Sequence, residues 1–378
     1  MSRRRFIALM IAALVVISGA LFFSSQRNPA RDVHGLPLLP SLASELNSIT
    51  SLSVLKGSAT PSVTVRKQGE QWTVAERADY PADVPKLRKL LLALGDAKIR
   101  EEKTSDPANY SIIGVEDPTK PGASGAQVEV IAKDGKQDVI VGKSVDQGNF
   151  VRRAGEKTSY IVEPGVSFEA EPRYWIDTRF LDIPTDKIQS IQVKPDTGPA
   201  YSVRRVSEPV PTPAESKVGA SNAAPATPAT PAAPPAPAAT KFVLEGVPSG
   251  RQAAASETLA PSPTTLGSLT VDDVAPVGDV DFSKPSVATV TLSDGSVIIF
   301  TGAAVGEKRW IQVAAPKDAS LSAKAHGRAF EIATYRYEAI FRPLEQLLVP
   351  KPPPSVKPAA GAKPATSGIK KPPTAPKP

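Results

Sequence analysis

Residues able to do acid–base or binding chemistry fall mostly between positions 101 and 153. Glu101-Glu102 and Glu116-Asp117 are acidic pairs, the side-chain type used in general acid–base catalysis, and Lys103, Arg152 and Arg153 would line a binding surface with these acids. Adjacent carboxylates on a strand point to opposite faces, and Asp117-Pro118 is a turn signal, so the expectation is solvated charge rather than a matched acid and base. Lys103, Glu116, Asp117, Arg152 and Arg153 therefore form a candidate interaction surface, with no residue assigned to catalysis. His34 and His326 stand far apart without a second ligand at metal spacing. The chain has no cysteine, which excludes thiolate catalysis and cysteine-held metals. Ile140-Val141-Gly142-Lys143-Ser144 has the ending of a phosphate-binding loop, but Gln137 occupies the position of the required upstream glycine and Val139–Val141 reads as strand. Gly122-Ala123-Ser124-Gly125 lacks the spacing of a nucleophile elbow. No metal, no cofactor and no enzymatic activity are expected.

The elements that position these residues centre on Trp72–Asp117. Gln71–Val74 is β-prone, with Trp72 and Val74 on one face. Pro81 breaks the pattern, Asp83 suits a helix N-cap, and Pro85 fits a first turn. Leu87, Leu90, Leu91 and Leu94 fall at i, i+3, i+4 and i+7, one apolar stripe facing a core, and Gly95 is placed to end the helix.

The chain also repeats itself. Ser48–Val54 resembles Lys187–Val193, Ser62–Lys67 resembles Tyr201–Val206, and Glu70–Val74 resembles Thr240–Leu244. Helix Val84–Leu94 has a shorter counterpart near Thr264–Leu269. Ala126–Lys143 matches Ser286–Gly302, each read as a hairpin turning at Asp-Gly, and Asn149–Val162 parallels Lys308–Ala314. Each copy reads β-β-β-α-β-β-β. The expected fold class is α+β, with two tandem repeated lobes, each a largely antiparallel sheet with one helix. Glu171–Ile183 would join the lobes, with Tyr174, Trp175 and Phe180 wedged between them.

Arg3-Arg4-Arg5 precede an uncharged run from Phe6 to Phe23. These eighteen residues rise about 27 Å as a helix, enough to span a membrane, and the arginines set an N-inside orientation. The alternative is a cleaved signal peptide with Ser18-Gly19-Ala20 at the cleavage site. Either way the remainder is exported. The segments Glu208–Thr240 and Pro350–Pro378 are poor in bulky apolar side chains, so polyproline-like disorder is expected. The tail holds six lysines and no acid, so it supplies six of the seven net positive charges. It suits an anionic surface such as lipid headgroups or cell-wall polymer. No nucleic-acid partner is expected, because the tail has no aromatic residue for base stacking.

The order WTVAERADYPADVPKLRKLLLALGDAKIREEKTSDPANYSIIGVEDP, VIVGK, FVRRAGE and YWIDTRFLDIP resembles the bacterial family catalogued as domain of unknown function 4340. The resemblance covers about Ser41 to Val349 and is strongest in the first lobe. It implies a membrane-anchored envelope protein, some of whose relatives accompany ABC-type export or gliding-motility systems, and it implies no reaction. This sequence differs from transporter-linked relatives in its single anchor and lack of permease segments. The domain reading is residues 1–26 Arg cluster and anchor, 27–44 linker, 45–182 first lobe, 183–322 second lobe with a disordered insert at 208–240, 323–349 C-terminal helical segment, and 350–378 tail. The functional expectation is a non-enzymatic periplasmic binding or scaffolding protein on the inner membrane, accessory to an ABC-type transport system. The alternative is a cell-wall or anionic-surface binder acting through the tail.

Overall fold

The structure, a computed structural model, describes residues 10, 13–19, 33–207, 240–259 and 261–350. Most of the Phe6–Phe23 run, the insert at 208–239 and the tail at 351–378 lie outside them. Residues 13–19 are helical, and Leu14, Val15, Val16 and Ile17 are all exposed. Among the described residues no helix is long and apolar enough to cross a membrane. The rest is α+β, with few helices and mostly antiparallel sheets.

The first sheet is built from β1 (Ser51–Leu55), β2 (Val63–Gln68), β3 (Gln71–Val74), β4 (Tyr80–Pro81), β5 (Lys98–Glu102), β6 (Ala126–Ala132), β7 (Gly135–Val145), β8 (Gly148–Arg153) and β9 (Ser159–Glu163), in the order β4-β3-β2-β1-β6-β7-β8-β9-β5. Between β4 and β5 runs α1 (Val84–Asp96). The Asp83 side chain accepts the Lys86 amide at its start, Pro85 sits in the first turn, and Leu87, Leu90, Leu91 and Leu94 are buried. The helix runs one residue past Gly95, so that glycine does not end it. Strand alternation puts Leu52, Val54, Val63, Val65, Val128, Val130, Val139 and Val141 beneath that stripe. The edge at β5 is covered by the N-terminal segment, where Gly35 donates to the Ile99 carbonyl and Leu38 to that of Ala97.

A connector carries β10 (Arg179–Asp182) to the second sheet. That sheet is formed by β11 (Ile188–Lys194), β12 (Tyr201–Ser207), β13 (Thr240–Glu245), β16 (Asp273–Pro276), β17 (Ser286–Leu292), β18 (Val297–Val305), β19 (Lys308–Ala314) and β20 (Arg328–Ile332). Its order is β13-β12-β11-β17-β18-β19-β20-β16, which corresponds strand for strand to β3-β2-β1-β6-β7-β8-β9-β5. Two smaller pairs involve β14 (Arg251–Ala253) with β21 (Leu348–Pro350) and β15 (Ser268–Thr270) with β10. The helices here are short: α2 (Pro261–Gly267), α3 (Ala319–Ala325) and α4 (Thr334–Ile340).

Further readings of the sequence need correction. The six-strand unit omits β5 and β9 in one sheet and β16 and β20 in the other. The segment 323–349 is not simply helical, because Arg328–Ile332 is an interior strand flanked by β19 and β16. The pairing of Ser62 with Tyr201 is off by one: Val63 lies opposite Val54 as Tyr201 lies opposite Val193.

The two Asp-Gly hairpins also differ. Ala132 pairs with Gly135, leaving a two-residue turn at Lys133-Asp134, whereas the Leu292 amide donates to the Ser296 carbonyl across a three-residue loop. One extra residue flips every following side chain. Val141 and Gly302 thus take equivalent places, and Gly142 points to the opposite face. A Cβ on Gly302 would lie 2.5 Å from the Phe341 ring, and one on Gly142 would lie 2.4 Å from the Ile113 carbonyl oxygen.

The two sheets share one continuous apolar core. At their junction the Tyr80 ring meets Phe330 edge-on at 5.7 Å, and Phe330 meets Phe180 at 4.3 Å. Arg77 forms a two-point ion pair with Asp273, with Nη2 to Oδ2 at 3.2 Å. Arg328 donates to the carbonyls of Ala78 and Asp79 at 2.9 and 3.2 Å. The backbone that carries these carbonyls is left-handed at both residues, Ala78 at φ 53° and Asp79 at φ 52°. Lys324 donates to the Arg179 carbonyl at 2.6 Å, and burial holds its ammonium below its ordinary pKa. The connector belongs to both sides: Asp83 N–H donates to Trp175, Asp177 N–H to Pro81, and Val271 N–H to Thr178. Trp175 and Phe180 are buried as expected, while Tyr174 lies at the surface, 38% exposed, with Lys86 over its ring.

Phe330→Ala is expected to cost about 3–5 kcal/mol in urea unfolding and to destabilise both sheets together. Ile112→Ala, at a side chain 65% exposed, should stay within about 0.5 kcal/mol.

Candidate interaction surface

The structure brings Glu116, Asp117 and Arg152 to one place and puts Lys103 and Arg153 elsewhere. Residues 103–125 cross the outer face of the first sheet and cover a small core of Tyr110, Val115 and Ile140, with Ile113 and Phe150 against it. Alternation on β8 sends Phe150 and Arg152 to this face. Arg152 is buried, donates to the Val115 and Glu156 carbonyls at 2.9 Å each, and stacks over Tyr110 at 4.7 Å. Its charge holds the covering loop down and is not presented to solvent.

Glu116 accepts from the Ser124 amide at 2.8 Å and hydroxyl at 3.0 Å, with its other carboxylate oxygen buried and unpartnered among the described residues. Burial alone would raise this carboxyl, but the Ser124 bonds, its own amide and nearby Lys143 hold it below the usual carboxylate range. The hydroxyl and amide of Thr119 lower Asp117 as well. These two acids close the turn between Val115 and Gly125. The loop lies so tightly on the strands that a Cβ at Gly125 would sit 2.0 Å from the Gly114 carbonyl oxygen.

Arg153, on the opposite face of β8, donates to the Leu38 carbonyl at 2.7 Å and pairs with Glu156, which pins the N-terminal segment. Lys103 pairs with Glu101 at 2.8 Å on the β5 edge, and Glu102 is exposed beside them. His34 and His326 are both exposed, one beside the first sheet and one after α3. Among the described residues no group of three or more His, Asp or Glu is placed to hold a metal ion.

Two concave regions lie outside the candidate set. One, about 600 Å³, opens where the sheets meet and is lined by Glu169, Glu171, Arg173, Tyr174, Asp272 and Glu331 among others. Burial and the neighbouring Glu331 raise the Asp272 carboxyl. The other, about 300 Å³, runs between α1 and the β2–β3 hairpin, with Trp72, Arg88 and Lys67 on its walls. The first joins residues distant in sequence and has no local signature. The second had one: Arg88 and Leu92 flank the leucine stripe at i, i+4.

The family described as "Domain of unknown function (DUF4340)" matches residues 72–245, a little under half of the chain. The match starts in β3 and ends with β13, so it crosses from one sheet into the other. No curated protein and no solved structure matches.

Gly125→Ala should cost about 1–3 kcal/mol by overpacking the loop against the sheet, whereas Gly278→Ala, with open space at Cβ, should leave the unfolding midpoint nearly unchanged. Because the folded-state pKa values of Glu116 and Asp117 are lowered, their stabilisation is present above the unfolded value of roughly 4. It is lost as pH falls through the folded values. Urea midpoints between pH 6 and 3 should fall on acidification, and the paired change Glu116→Gln, Asp117→Asn should flatten that slope.

Proposed function

We propose that this chain, whose residues 72–245 belong to the DUF4340 family, is an envelope protein held by one N-terminal membrane helix. In this reading two copies of one lobe stand in the periplasm and bind or scaffold a partner without catalysing a reaction. The observation that carries the binding reading is where the reactive side chains go. Arg152, Arg153, Glu116 and Asp117 are consumed by contacts that fasten loops to the first sheet. The open concave surfaces are lined instead by mixed apolar and charged groups suited to holding a ligand.

The corresponding strand orders support the duplicated-lobe reading. Support for the anchor comes from the exposed apolar side chains of residues 13–19, next to an arginine cluster in the sequence. A role beside an ABC-type transport system is the form of scaffolding that the family resemblance favours. The second reading, an anionic wall or lipid surface bound through residues 350–378, rests on six lysines without an acid.

Fractionation tests the anchor directly. The full chain should sediment with membranes, resist extraction by high salt or alkaline carbonate, and be degraded by protease added outside the inner membrane. Recovery of the intact chain from the soluble cytosolic fraction would overturn the proposal. For the second reading, sacculus binding should drop when the chain ends at Val349, and unchanged binding would remove the tail from the account.

A further inference from the structure

We propose that the groove between α1 and the β2–β3 hairpin is the docking site for an acidic amphipathic segment of a partner protein. This deepens the binding reading above and rests on it. The floor is apolar and buried, made by Ile49, Leu87 and Leu91. Leu46, Trp72 and Val84 are partly exposed on the walls, and Leu92 is 45% exposed at the lip. Val84, Arg88 and Leu92 recur at i, i+4 and i+8, so one flank of α1 faces the groove over about 12 Å, a little more than two helical turns. That length takes a short helix presenting apolar side chains at i, i+3 or i+4, and i+7.

Charge selects the occupant. Both charged residues lining the groove are basic, Lys67 and Arg88. The Arg88 guanidinium makes no hydrogen bond or ion pair among the described residues, and neither does the adjacent Lys89 ammonium. Lys67 has only a 3.6 Å contact to Glu70, whose side chain is 98% exposed. Lys67 stands directly across the strand pair from Trp72, so a cation and an indole face the groove together. Tryptophan and arginine are the residue types most enriched at the energetic centres of protein interfaces. A recessed floor favours an inserted side chain over a flat bilayer surface. An acidic rim on the incoming segment would satisfy Arg88 and Lys67, and apolar residues would fill the cleft.

Of the three tryptophans only Trp72 is not buried, Trp175 being 1% and Trp310 8% exposed, so its emission reports on the site. The test uses the full chain in detergent and two synthetic 14-residue helical peptides, each with leucine at i, i+3, i+4 and i+7. One carries glutamate at the remaining positions and the other lysine. The glutamate peptide should bind saturably by calorimetry and move the tryptophan emission to the blue. Arg88→Glu should weaken it at least tenfold, and Lys284→Glu, in the loop before β17 of the second sheet, should leave it unchanged.

Absence of binding, equal binding of the lysine peptide, or indifference to Arg88→Glu would overturn the proposal. It would be overturned equally if phosphatidylglycerol vesicles alone gave the same Arg88-dependent shift, which would assign the groove to lipid. Self-association abolished by Arg88→Glu would assign it to a second copy and overturn it too. None of these outcomes bears on membrane anchorage, which fractionation decides separately.

Discussion

The structure depends on the joint where Phe330 is held between Tyr80 and Phe180, with the Arg77–Asp273 pair beside it. Each sheet would otherwise leave an edge and part of an apolar face open to water. At the joint the turn after β3 presents two backbone carbonyls, and Arg328 fills both. The turn is left-handed at Ala78 and Asp79, which is unfavourable for an alanine by about 1–2 kcal/mol. The aromatic contacts and the Arg328 bonds offset that strain. Desolvation raises the Tyr80 hydroxyl pKa and lowers that of Lys324, and the Tyr80 hydroxyl is buried without a hydrogen-bond partner among the described residues, a cost that the packing around it must offset.

A rigid joint gives the concave surfaces a fixed shape. The acidic cleft between the sheets is lined by the connector on one side and by β16–β20 residues on the other, so its width is set by the joint. The α1 groove lies within the first sheet unit and depends on the leucine stripe instead. Preorganised surfaces of this kind bind with less ordering cost than loops that must fold around a partner.

Much of the architecture was legible in the sequence, because the signals were periodic. The leucine spacing, the Asp83 cap and Pro85 located α1 almost to the residue, and the internal repeat located β1, β2 and β6. What failed was register. Two Asp-Gly hairpins of equal spacing turn through loops of different length, and a side-chain period of two converts one residue of slip into a change of face. That is why Gly142 and Gly302, matched in sequence, meet different neighbours. Strand β20 was hidden because Arg328–Ile332 is short and lies between two helical patterns, and only its partners identify it. The candidate surface failed for another reason. Charge type can be read from sequence, but whether an arginine binds a ligand or a backbone carbonyl depends on which loop lies across it, as Arg152 shows.

If the Phe330 joint holds the fold together, the two sheets move as one body. With no native cysteine, spin labels can be placed cleanly at Glu70 in the β2–β3 turn of the first sheet and at Lys284 just before β17 of the second, both exposed. Pulsed dipolar spectroscopy on the full chain should give one narrow distance distribution, and Phe330→Ala should broaden it. A broad or multi-peaked distribution in the unaltered protein would show that the joint does not lock the sheets and would contradict the account.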